Sequence, residues 1–200
     1  MFEANPAFAS KLKALTPSIG KDNFVFNVAI GREPGSLYYF YDTQSFVEKS
    51  SVGSISRYKS IKPIEVRTLD SYSKLIPEID FLKTDIEEMD FYALLGASQF
   101  LPKISYIQFE LGLGMPHLGR TVQNHDYWEL LDSNFELFIL KDEANPIWQT
   151  FPNLPLLLTL NQEAKTIISI LQRLGHGFNI VGINRGVGKS DSLVVNIGQL

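Results

Sequence analysis

Residues 81–111, FLKTDIEEMDFYALLGASQFLPKISYIQFEL, change hydrophobic period twice with hardly a residue to spare. Asp80–Thr84 reads as a short strand. Met89, Phe91, Leu94 and Leu95 then fall at helical spacing, Pro102 ends that helix, and Ile104–Leu111 returns to a β-branched and aromatic strand pattern. A strand, a helix and a strand packed this closely fit the crossover unit of an α/β domain, and predict a largely parallel sheet. Few other folds accept such a segment.

The rest of the chain repeats the alternation. Asn5-Pro6 predicts a helix start, because Asn can cap and Pro loses nothing at the first helical position. Phe8, Leu12 and Leu15 would share one face of that helix. Asn23–Ile30 is strand-like, Gly31–Gly35 is a turn, and Ser36–Tyr41 reads as the return strand of a hairpin. Residues 50–62 are polar and predict a mobile loop, and Asp70 or Ser71 can cap a short helix with Tyr72, Leu75 and Ile76. Asp126–Leu131 predicts a helix in which Tyr127 and Trp128 pack, and Phe135–Leu140 predicts a strand. Beyond it, Asn161–Leu174 is amphipathic, with Ala164, Ile167, Ile168, Leu171 and Leu174 on one face, and Phe178–Ile183 and Leu193–Ile197 are candidate strands. That tail, residues 156–200, either completes the sheet or forms an appendage to a domain spanning residues 1–155.

Composition narrows the function classes. Hydrophobic residues are 44% and charged residues 20% of 200, enough apolar content for a buried core. A net charge of −4 gives no basic footprint for nucleic acid or an anionic membrane. The absence of cysteine excludes disulfides, thiolate nucleophiles and cysteine zinc sites, and fits a cytoplasmic protein. MFEANP has neither the basic flank nor the apolar stretch of a secretory signal.

The chemistry gathers in carboxylates at predicted strand ends. Asp85 ends one strand, Glu110 lies near the end of the next, and Glu3 reads as the end of a strand whose beginning is missing, so that three carboxylates at three strand ends would line one crevice. In open α/β sheets ligands bind beyond the carboxyl ends of strands, where an acid can hold ribose hydroxyls. Glu87 joins Asp85 on the same turn, while Glu88 and Asp90 read as acids gathered by a helix N-terminus. Oxygen ligands of this kind could suit Mg²⁺ or Ca²⁺, but no metal-specific spacing appears, so no metal is assigned. His117, seven residues after Glu110, is a further candidate base. GINRGVGKS, residues 182–190, lacks the first glycine of a phosphate loop and predicts a hairpin turn instead.

FLKTDIEEMDFYALLGA resembles the core signature of the FkbM-type S-adenosylmethionine-dependent methyltransferases, matching it at Lys83, Asp85, Ile86, Glu87, Leu94, Gly96 and Ala97. FEANP at residues 2–6, NVAIG at 27–31 with Gly35, TLD at 68–70 and YIQFE at 106–110 resemble further elements in the same order. The resemblance covers roughly residues 1–140 and implies a class I, Rossmann-like methyltransferase sheet with flanking helices. It implies methyl transfer from S-adenosylmethionine to a hydroxyl of a saccharide or other small-molecule acceptor. Glu3 would hold the cofactor ribose, Asp85 would lie near both cofactor and acceptor, and Glu87 and Glu110 would shape the acceptor side. It also implies a first strand, glycine-rich loop and helix ahead of Glu3, so the chain is expected to be the C-terminal part of such an enzyme. The competing reading is a non-catalytic α/β remnant that binds a partner.

Overall fold

In the computed structural model the described residues are 1–19, 23–40, 61–86, 89–111, 122–141, 156–173 and 177–186, and they form two compact units. The first comprises residues 1–72 and 92–97, the second residues 73–91 and 98–200.

In the first unit Asn5 caps helix α1 (Pro6–Ile19) as its sequence predicts, Oδ1 accepting the Ala7 N–H at 2.9 Å. The predicted apolar face does not become the buried one, however. Phe8 and Leu15 are exposed, and the buried residue is Ala9. Ahead of α1, Phe2 forms a parallel bridge to Phe26, and both rings meet Tyr72 at 4.8 Å and 5.1 Å between centroids.

The expected strand over 23–30 shortens to β1 (Ala29–Ile30), and the hairpin is wired differently from its prediction. Strand β2 (Gly35–Phe40) follows the GREPG turn but does not pair with β1. Strand β3 (Ile61–Arg67) lies between them, parallel to β1 and antiparallel to β2. A tight turn signals a reversal of direction, not which strand becomes the neighbour. Ile61 and Lys62, predicted as loop, are the first residues of β3, and residues 50–60 lie outside the described ones. Ala29, Ile64 and Val66 make the small core. The short helix after β3 is a 3-10 turn, Leu69–Tyr72, and Thr68 ties its start: Thr68 Oγ1 accepts the Ser71 N–H at 3.1 Å. Leu75 lies beyond it and is exposed.

The second unit is built on a five-stranded sheet, β4 (Ile79–Lys83), β5 (Ile104–Glu110), β6 (Phe135–Leu140), β7 (Leu157–Thr159) and β8 (Asn179–Asn184), in the order β4-β5-β8-β6-β7. Among these, β4 and β5 are parallel and every other neighbouring pair is antiparallel. The sheet is therefore mixed, which corrects the largely parallel sheet inferred from local alternation. Helices α2 (Asp90–Leu95), α3 (Asn124–Leu131) and α4 (Gln162–Arg173) connect the strands.

Alternation in FELFIL puts Phe135, Leu137 and Ile139 inside, and Ile104, Ile107 and Phe109 of β5 are sealed from solvent. Tyr127 stacks on Phe109 at 5.2 Å, the packing role its position predicts. On α4, Ile168 is buried, while Ile167, predicted to share its face, is 56% exposed. The predicted tail strand is β8, lodged between β5 and β6, so that segment completes the sheet. Leu174 and Leu193–Ile197 lie outside the described residues. Among the described residues no helix is long and apolar enough to cross a membrane.

Candidate active site

Because β4 and β5 run parallel in register, with Lys83 opposite Gln108, their carboxyl ends open on the same edge of the sheet. The pairing continues one residue beyond β4, where the Thr84 N–H donates to the Gln108 carbonyl at 2.9 Å. Asp85 is the next residue and Glu110 is the last of β5, so these two positions stand at one edge of the sheet in the second unit, while Glu3, expected beside them, belongs to the first unit. Such an edge is where parallel α/β pairs offer room to a ligand.

Asp85 is exposed, with Lys83 Nζ at 3.0 Å from its Oδ2. Glu110 is half-buried and lies against the turn before β8, where a Cβ on Gly177 would stand 3.1 Å from its Oε1. Glu87, Glu88 and His117 lie outside the described residues. Glu3 belongs to the other unit, where its Oε1 accepts the Asn5 N–H at 2.6 Å and its backbone carbonyl accepts from Asn27 Nδ2 at 2.9 Å. These bonds fix the Glu3 carboxylate at the start of α1.

The residue that sequence reasoning passed over is Asp90. An acid in the first turn of a helix is ordinarily solvated. Asp90 is instead 1% exposed. Its Oδ2 accepts the Ile86 N–H at 3.4 Å, and its Oδ1 is buried with no hydrogen-bond partner. Burial above all, with the nearby carboxylates of Asp85 and Glu110, raises its carboxyl from the usual 3.8 to about 6, against the lowering effect of the Thr84 hydroxyl and the Ile86 N–H. The Thr84 hydroxyl acts at longer range than a hydrogen bond, since Thr84 Oγ1 is itself buried and unpartnered. A titratable group displaced by burial and by named like charges is a candidate for functional ground. The only hint in the sequence was the phase of the helix, which turns Asp90 and Phe91 to the same side as Leu94.

The carboxylates of Asp85 and Glu110 thus both act on Asp90, and carboxylates at such a sheet edge can receive a proton or orient a hydroxyl. Among the described residues no group of three or more acidic or histidine side chains has the geometry to hold a metal ion. Of the GINRGVGKS segment, Gly182 and Asn184 are strand residues, and Asn184 Oδ1 accepts the Gly186 N–H at 2.8 Å in the turn that follows.

Residues 1–142 match the model of the methyltransferase FkbM domain. No curated protein and no solved structure matches the chain. The matched span takes in α1, both sheets through β6, and every carboxylate named above. The chain belongs to the FkbM methyltransferase family.

Proposed function

We propose that this methyltransferase is an S-adenosylmethionine-dependent O-methyltransferase of class I, Rossmann-like architecture, acting on a hydroxyl of a saccharide or other small-molecule acceptor in the cytoplasm. The observation that carries the reading is the pair of carboxylates, Asp85 and Glu110, at the carboxyl ends of the parallel strands β4 and β5 in a chain of this family. S-adenosylmethionine, when bound, supplies a methyl group activated by a sulfonium.

The residues suit such a cofactor and acceptor in their chemistry. With Oε1 of Glu3 tied to the Asn5 N–H, Oε2 is the oxygen left to accept a ribose hydroxyl. Asp85, exposed at its sheet edge, can accept the proton of the acceptor hydroxyl as the new carbon–oxygen bond forms. Glu110 and Glu87 would orient the acceptor, which matters because in-line approach accounts for much of the rate in such transfers.

Calorimetric titration with S-adenosylmethionine tests the reading, followed by transfer of labelled methyl to a panel of saccharides. Binding and label on a hydroxyl oxygen are expected. A folded chain that binds no cofactor at millimolar concentration would leave the non-catalytic binding module as the better account.

A further inference from the structure

Asp85 stands in a turn held from both sides. Before it, the Thr84 N–H is bonded to Gln108 of β5. After it, the Ile86 N–H is bonded to Asp90 Oδ2 at 3.4 Å. The ion pair of Asp85 with Lys83 joins two half-exposed side chains and imposes little direction in water. Backbone is what can aim Asp85, and beyond the sheet the described tether on that backbone is Asp90.

We propose that Asp90 is the positioning residue for Asp85: its buried carboxylate holds the Ile86 N–H, so that the short segment Thr84–Ile86, held at its other end by Gln108, fixes where the Asp85 carboxylate points. The role in catalysis rests on Asp85 acting at the acceptor, as proposed above; the grip on the turn does not. An ionised carboxylate accepts a hydrogen bond more strongly than a protonated one. On protonation, the carboxyl accepts more weakly and its hold on the Ile86 N–H loosens. Among the described residues the charged groups that act on Asp90 are Asp85 after β4 and Glu110 from β5, and both favour the protonated form. Lys83, paired to Asp85, offsets part of that push. The clamp is accordingly tight at neutral pH and loosens in mild acid.

The test is an NMR titration of the Ile86 amide from pH about 4.5 to about 8. In the wild-type chain the amide should shift through a single midpoint near 6. Asp90→Asn should abolish that transition, and Asp85→Asn or Glu110→Gln should move it down by a few tenths of a pH unit. Asp90→Glu, which keeps a carboxylate, should retain it. An Ile86 amide that does not titrate, or that titrates unchanged in Asp90→Asn, overturns the clamp. Should Asp90→Asn not fold, the side-chain carboxyl carbon of Asp90 in the wild type decides: it must share the midpoint of Ile86. In the active enzyme Asp90→Asn should lower kcat with the acceptor KM nearly unchanged, and unchanged kcat refutes the positioning role. Ile86 titrating through Asp90 without any cofactor binding would defeat the methyltransferase reading and spare the clamp.

Discussion

Gly182 of β8 lies against Ile107 of β5 with no room for a side chain: a Cβ at position 182 would stand 2.5 Å from Ile107 Cγ2 and 3.1 Å from Leu137 Cδ2. Both neighbours are branched side chains in the middle of the sheet core, and Ile107 is wholly buried. Gly182→Ala should therefore destabilise the second unit by about 1–3 kcal/mol through overpacking. Urea unfolding measures it, and a change within error would show that β5 and β6 yield more readily than their packing implies.

Asn184 closes the same strand. Its Nδ2 donates to the Ile104 carbonyl at 2.8 Å, and its Oδ1 takes the Gly186 N–H. Asn184→Leu keeps the branched outline of the side chain at a larger volume and removes both bonds from a buried site. A loss of about 1–3 kcal/mol is expected, with faster amide exchange at Gly186 as its local signature.

The raised carboxyl of Asp90 fixes the sign of a pH effect on stability. Below 3.8 the group is protonated both folded and unfolded, and it contributes no penalty. As pH rises through about 6 the unfolded chain ionises more readily, so stability is lost across that window and the loss then stays constant. A displacement of about two pH units corresponds to about 3 kcal/mol. Asp90→Asn removes this cost, and although its neutral amide holds the Ile86 N–H more weakly than a carboxylate does, a net gain of about 1–3 kcal/mol near neutral pH is expected. The gain should vanish at pH 4. Equal effects at both pH values would contradict the burial of an ionised carboxylate.

Turnover should separate the acids. Asp85→Ala is expected to lose about 100-fold or more in kcat, the usual worth of a positioned base. Glu88→Ala should lose far less. Equal losses would remove Asp85 from the reaction.

Local pattern made β4, α2 and β5 legible, because each is announced by its own period and by Pro102. Asp85 and Glu110 followed, since residues that end strands can be counted along a chain. Strand adjacency could not be read the same way. GREPG predicts a reversal, and β1 and β2 do flank it, yet β3 comes from beyond residue 60 to separate them. The mixed character of the larger sheet escaped for the same reason: Phe109 and Ile180 are register partners with no local signal linking them. Asp90 escaped because its identity suggests water, and only the packed structure shows that water is excluded.

The position of β8 carries a consequence for how the protein comes into being. Strand β6 has two neighbours among the described residues, β7 and β8, and both follow residue 142, where the family match ends. A nascent chain that has released all of the conserved domain still holds β6 without a strand to pair with. The apolar side chains of Phe135, Leu137 and Ile139 must wait until Asn184 has been synthesised. During that interval β5 and β6 are unpaired edges of the kind that recruit other chains. The sheet of the matched domain thus depends on a strand made after it, β8, which fills the gap between β5 and β6.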